Sequence, residues 1–311
     1  MNIKDLDLQL LKKLCSIHAP SGNEVQMKEF LLEYVTENSP NWKVQPQVIH
    51  GDDFQDCLIL VFGKPRTAIF AHVDSIGFMV GYDHELIKIG GPRIKNNYIL
   101  KGEDSQGPIV CEMKASADGK QGFYQYERTI DRGTELVFDC DFRESDTSVQ
   151  SCYIDNRLGC WNALKVAETL TDGIICFSCW EEHGGGSVAY LGKFIYEQYG
   201  VRQALISDIT WVTEGIKHGK GVAISLRDRA IPRRVYLNKI LALAKESGVD
   251  FQIEVEHTGG SDGIELQHCP YPFDWCFIGA PEDYVHTPNE KVHKHDIISM
   301  VKLYQFLMEK L

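Results

Sequence analysis

The sequence lacks any apolar run approaching the roughly 18–20 residues that a membrane-spanning helix needs, and its opening stretch, MNIKDLDLQLLKKL, interleaves charge with leucine. Neither a signal peptide nor a membrane anchor is expected from that pattern. Basic residues are scarce: 32 Lys and Arg stand against 44 Asp and Glu, a formal charge of −12, and no basic stripe interrupts the excess. Nucleic-acid binding, which neutralises phosphates with clustered Lys and Arg, is therefore not expected. Also missing is the Gly-x-x-x-x-Gly-Lys spacing of a phosphate loop; Gly184-Gly185-Gly186-Ser187 does not supply it and reads as a flexible segment. What is present, 43% hydrophobic and 10% aromatic residues, suffices for a true core. Ten cysteines occur, but nothing directs the chain to an oxidising compartment, so free thiols and a cytoplasmic location are expected. Cys176 and Cys179 form a C-x-x-C inside the apolar run GIICFSCW, a strand rather than a redox or zinc turn.

Leu6, Leu10, Leu11 and Leu14 recur at helical spacing, and Ser21 with Glu24 predicts a capping box for a second helix through Val35. From about residue 76 to 150 short β-prone pieces alternate with Gly, Asp and Asn turns. Strand and helix signals alternate thereafter, with helices expected at 157–171, at 187–199 closed by Gly200, at 233–247 closed by Gly248, and from about Asp296. A strand at 251–256 is expected to turn Phe251, Ile253 and Val255 inward, and His293 and His295 are expected to be exposed. The pattern predicts an α/β layered domain, 1–75 with 151–311, interrupted by a β-rich domain at 76–150.

Ligand-type residues collect where the predicted strands end, which is where open α/β sheets place their sites. They are His72 and Asp74 after TAIFA, Asp155 in YIDNRLG, Glu181-Glu182 after IICFSCW, Asp208 after QALIS, and His286 in EDYVHTP. Singly, each has an ordinary reading: a hydrogen-bonded structural His, a solvated Glu pair, an N-cap, a turn. Together, two His and three or four carboxylates are too many for one tetrahedral ion and suit a pair of divalent ions bridged by a carboxylate. Adjacent glutamates diverge, so one of Glu181 and Glu182 would ligate while the other stays free as a general base. The Gly259-Gly260-Ser261-Asp262-Gly263 run reads either as a substrate-facing turn or as an ordinary loop.

These motifs, taken in order, resemble the TET-type metallo-aminopeptidases, the glutamyl and deblocking aminopeptidases related to dinuclear zinc exopeptidases. The resemblance is carried by APSGNE, AHVDSIGFMV, IGGPRI, YIDNRLGC, CWEEHGGGS, LISDIT, HTGGSDG and DYVHTPNEKVHKHDI. It implies a three-layer α/β/α zinc-exopeptidase-like domain with an inserted all-β domain, and a homo-oligomer that removes N-terminal residues from peptides. It also implies that His72, Asp155 and Asp208 hold one metal and Asp155, Glu182 and His286 the other, so that Asp155 bridges. Glu181 would be the general base toward a water bridging the two ions, and Asp74 would orient His72. Zinc is the first expectation, with cobalt or manganese as alternatives. The chain departs from the family at Ser75, at Asn156 and over His183–Ser187, positions beside the implied ligands. Two rivals remain: a metal-dependent deacylase or carboxypeptidase of the wider group, and a scaffold that keeps metal without catalysis. A glycosidase using paired carboxylates would be indifferent to chelators.

Overall fold

A computed structural model describes residues 6–311. At its centre four parallel strands lie in the order Gly173–Ser178, Ala68–His72, Gln203–Trp211 and Asp274–Asp283. They are buried almost end to end because both faces are covered, and their apolar stretches, GIICF, AIFA, ALI and WCFIGA, need no polar side. Antiparallel strands Leu58–Phe62 and Gln47–Ile49 extend one side, and Glu290–His293, Ser148–Ser151 and Arg143–Glu144 the other. Val222–Ser225 branches from Asp274–Asp283 and carries Phe251–Glu254.

Helices Gln9–Cys15, Ile154–Ala167, Lys294–Lys310 and Arg234–Ser247 pack in sequence against one another, while Ser187–Tyr199 and Gly263–His268 form a second group, giving helix–sheet–helix layers. The buried Tyr304 hydroxyl joins helix to sheet, donating toward the carbonyls of Ile206 (2.6 Å) and Ile278 (2.8 Å) on two central strands. Gly159 sits where the Ile154–Ala167 helix crosses the strand bearing Asp208, and a Cβ there would collide with the Asn156 side chain and the Ser207 carbonyl. Alanine improves helix propensity by up to about 1 kcal/mol, but forced overpacking costs about 1–3 kcal/mol. Gly159→Ala should therefore lower the thermal unfolding temperature, and an unchanged or higher value would show that the helix can move off the strand.

Strands Gly77–Val80, Glu85–Ile89, Gly122–Gln125, Gly107–Ala115, Ile99–Asp104 and Glu135–Phe138 close into a separate barrel. It has its own core, built on Phe78, Leu100, Met113, Leu136 and Phe138. The chain enters the barrel just after His72 and returns to the sheet just before Asp155, so both crossings border the same place.

Local expectations fail at identifiable points. The capping box does not form: the second helix runs Val25–Asn38 without a side-chain cap, because Ser21 is bonded to Asp74 and Glu24 accepts from the Gly22 and Trp180 amides. The helix expected at 157–171 begins where expected, since Asp155 (ψ 107°) and Asn156 (ψ 38°) at the head of the Ile154–Ala167 element are not helical, but it ends earlier, at Ala167. In the Phe251–Glu254 strand the facing is inverted: Ile253 and, just beyond it, Val255 are 51% and 70% exposed, whereas Glu254 is buried. His293 and His295 are half-buried; His293 caps the last helix by accepting from the His295 amide, and His295 faces Asp250. The helices ending at Tyr199 and Ser247 are followed by Gly200 and Gly248 in the left-handed conformation, the residue type that closes a helix at least cost.

Candidate metal centre

The strands that end in ligand-type residues are neighbours, and the chain returns on opposite sides of Ala68–His72, which opens a crevice at their carboxyl ends. His72 closes its strand there with 1% of its surface exposed. Its Nε2 lies 3.4 Å from Asp155 Oδ1, 3.6 Å from Asp208 Oδ2 and 3.9 Å from Glu181 Oε2. Across the crevice His286 Nε2 lies 3.4 Å from Asp155 Oδ2 and 3.2 Å from Glu182 Oε2. Two groups result, His72 with Asp155 and Asp208, and Asp155 with Glu182 and His286, each spaced to close on a cation. Asp155 belongs to both and offers one oxygen to each. The two adjacent glutamates part: Glu182 is in the second group and Glu181 is in neither.

Secured backbone holds these side chains. The Asp74 carboxylate, 3.3 Å from His72 Nδ1, accepts from the Ser21 hydroxyl (2.6 Å) and from the amides of Glu181 and Glu182 (both 3.1 Å). It therefore ties the histidine to the glutamate pair. Arg157, fully buried, donates to the Val73 carbonyl, and Cys160 donates to that of His72 (3.1 Å). Asn156 bonds the Ser207 carbonyl (2.9 Å), fixing the strand of Asp208 to the helix start of Asp155. Tyr153, Trp180 and His286 take positive φ values of 63°, 68° and 65°, uncommon for such side chains and each at or within two residues of a grouped residue.

Sequence reading missed Glu290. Wholly buried, it accepts from the amides of Asp155 (3.2 Å) and His286 (3.0 Å), clamping residues of the second group by their main chain. Its position four residues after His286 in HTPNE was the available signal. Gly91 was also missed; its carbonyl lies 3.1 Å from His286 Nδ1 and so orients the ring from the loop after the barrel's second strand.

The electrostatics are those of a nest short of positive charge. Burial, with Asp155 nearby, pushes Glu182 up to about 7, and burial likewise raises Asp208 to about 6. Burial drives Glu181 well above the usual carboxylate range; His72 pulls it back, and Asp208 and Glu182 push it further up. Burial opposes charging His286, yet Glu182 and Asp155 outweigh it and hold the ring up to about 12. Buried His72 nitrogens and Glu182 Oε1 find no hydrogen-bond partner. Unpaired buried polar atoms are costly, and nitrogen and oxygen donors around excess negative charge are the setting divalent cations satisfy. The donor set fits two such ions.

A family model described as M42 glutamyl aminopeptidase matches residues 98–303. The chain belongs to that family. The matched span includes Asp155, Glu181, Glu182, Asp208 and His286, while His72 and Asp74 precede it. As an M42 member the chain is an aminopeptidase, a hydrolase of peptide bonds. A protein of Acetivibrio thermocellus, provisionally named an aminopeptidase, is 27% identical over 328 residues, covering 94% of this chain and 96% of its own. The solved structure of an aminopeptidase from the archaeon Desulfurococcus kamchatkensis superposes with a TM-score of 0.86 at 20% identity, covering 98% of this chain and 94% of that one. The Pyrococcus horikoshii TET1 peptidase, which can assemble into a tetrahedron or a large octahedral shell, gives 0.79 at 21% identity, covering 98% and 99%. At these identities the two structures show a shared fold: the layered sheet with its small barrel.

In this M42 chain a cleft of about 450 Å³ opens from the nest, bounded by Asp155, Glu181, Glu182, Asp208 and His286 at one end. The Gly259–Asp262 turn lines it, so that run faces the crevice rather than open solvent. His183, in the same short turn as the glutamates, accepts from the Gly90 amide (2.9 Å) and ties the turn to the loop leaving the barrel. Among the described residues no helix is long and apolar enough to cross a membrane, and all ten cysteines are free.

Proposed function

We propose that this aminopeptidase works with two divalent cations, zinc in the first place, with cobalt or manganese as substitutes. His72, Asp155 and Asp208 would hold one, and Asp155, Glu182 and His286 the other. The observation that carries this reading is the division of Asp155, with Oδ1 toward His72 and Oδ2 toward His286. Ions bound there supply Lewis-acid polarisation of the scissile carbonyl and acidify the attacking water. The remaining steps belong to the chain. Glu181, in neither group and 20% exposed to the cleft, takes a proton from the water as its oxygen bonds the carbonyl carbon. It returns that proton to the amine nitrogen as the carbon–nitrogen bond breaks. Asp74 holds His72 and the Glu181 amide in one arrangement, so base and ligand keep their separation. Cleft carboxylates outside the two groups receive the free α-ammonium of the peptide. Self-assembly, as in the TET1 relative, and a reducing cytoplasmic setting for the free thiols belong to the same reading.

Chelation tests it. Dialysis against EDTA should abolish hydrolysis of aminoacyl anilides, and zinc, cobalt or manganese should restore it with about two ions per chain by elemental analysis. Activity indifferent to chelator would sink the metal reading, and metal without hydrolysis of any peptide would favour the scaffold. Faster cleavage of N-acetyl amino acids than of free-amine anilides would favour the deacylase.

A further inference from the structure

Beyond the metal nest the cleft combines two kinds of surface that a single side chain would have to match. Ile209 and Trp211, which follow Asp208 along its strand, and Phe277 from the neighbouring strand supply apolar wall. The same cleft is lined by Asp228 and Glu254, only 5% and 3% exposed, with Glu256 beside them. Glu254 accepts from the Thr210 hydroxyl, and Asp228 from the Ala230 amide (2.6 Å) and the Ser261 hydroxyl (2.8 Å). All these donors are neutral. Among the described residues no Lys, Arg or His nitrogen forms an ion pair with either carboxylate. Burial accordingly pushes both above the ordinary carboxylate range. Arg227 draws Asp228 partway back down without pairing with it; taking a carboxylate out of water without a paired counter-charge is unfavourable, so the cleft leaves a place that a cation from outside the chain would fill.

Its distance from the chemistry selects the cation. Thr210, which holds Glu254, is two residues beyond Asp208 on an extended strand, ~7 Å away at the usual rise. That is the scale of a lysine's four-carbon stem, which buries its methylenes on apolar wall while its head stays polar. The substrate's α-ammonium needs one acidic partner near the metals, and Asp262 accepts from the hydroxyl of Ser178 (2.5 Å), the residue paired with His72 across the sheet. Asp228 and Glu254 are left for a second positive charge. An acidic N-terminal side chain would instead meet this group of carboxylates, with Arg229, itself exposed, as the cation lining the cleft.

Resting on the aminopeptidase reading above, we infer that the preferred substrates carry lysine or arginine at the N-terminus, with the side chain along Ile209 and Phe277 and its cationic head at Asp228 and Glu254. The metal-loaded enzyme should be assayed on lysyl, arginyl, norleucyl, leucyl and glutamyl anilides, norleucine repeating the lysine stem without its charge. The lysyl kcat/KM should exceed the norleucyl value at least tenfold and the glutamyl value at least a hundredfold. Glu254→Gln and Asp228→Asn should each reduce the lysyl-to-norleucyl ratio at least fivefold. Should the buried variants fail to fold, competition on the unaltered enzyme decides: lysinamide should inhibit at least tenfold more tightly than norleucinamide. Norleucyl or glutamyl substrates at or above lysyl, or equal inhibition by the two amides, would overturn the inference while leaving the aminopeptidase standing. Failure to cleave any anilide would overturn the aminopeptidase reading and this inference with it.

Discussion

Glu181→Gln should retain two ions per chain and lose about a thousandfold in kcat, within the range that positioned general bases contribute. The substitution keeps the shape of the side chain, and the Glu181 amide, which donates to Asp74 at 3.1 Å, is untouched. Glu181 lies outside both metal groups, so its loss removes no ligand. What goes is the basic oxygen 3.9 Å from His72 Nε2, in the wall of the cleft. The pH profile gives a second readout. A base must be deprotonated to act; burial raises Glu181, His72 draws it down, and Asp208 and Glu182 raise it further. Activity should therefore fall as pH is lowered through a limb above the ordinary glutamate range, bound cations drawing that limb back toward the ordinary range. In the variant, residual activity should lose that limb. Turnover near the unaltered value would take Glu181 out of the base role, and loss of metal would make it a ligand instead.

How far the amino-acid sequence carries this picture depends on what each residue answers to. His72, Asp155, Glu182, Asp208 and His286 were legible because a layered α/β pattern gathers the carboxyl-terminal parts of its strands at one crevice; Asp208 lies inside Gln203–Trp211 rather than after it, because that strand runs on past the end its sequence suggested, and the others lie at or just beyond a strand end. Helix stops at Gly200 and Gly248 were legible because their cause is local. Ser21 and Glu24 misled for the opposite reason: their local motif promised a cap, while both side chains serve the distant residues Asp74 and Trp180. The Phe251–Glu254 strand misled because alternation reveals two faces without saying what each confronts. Here Glu254 and Glu256 line a cleft while Ile253 and Val255 lie outside, only Phe251 packing against the core. Glu290 was invisible as a clamp because it acts on main-chain amides, and backbone partners leave no residue pattern to read.

Asp155→Ala should lose both ions and all measurable turnover, because its two oxygens serve the two groups separately. The effect on stability has one sign in both states. Without metal, burial opposes charging Asp155, but His286 and His72 outweigh it and hold its carboxyl well below the ordinary range, so it is the shared counter-charge of two buried rings, and this outweighs its push on Glu182 and Asp208. Its structural anchor, the amide donating to Glu290 at 3.2 Å, survives in alanine. Metal-free Asp155→Ala should therefore unfold below the temperature of the metal-free parent near neutral pH. Metal widens the gap. Ligands that bind only the folded state stabilise it by RT ln(1 + [L]/Kd), about 4 kcal/mol at a thousand times Kd, and the parent alone would gain that increment. Differential scanning calorimetry of both proteins, with EDTA and with zinc, reads the four values directly. A variant that still binds two ions would remove Asp155 from the bridge. A metal-free variant as stable as its parent would show that the two buried histidines do not depend on this carboxylate before a cation binds.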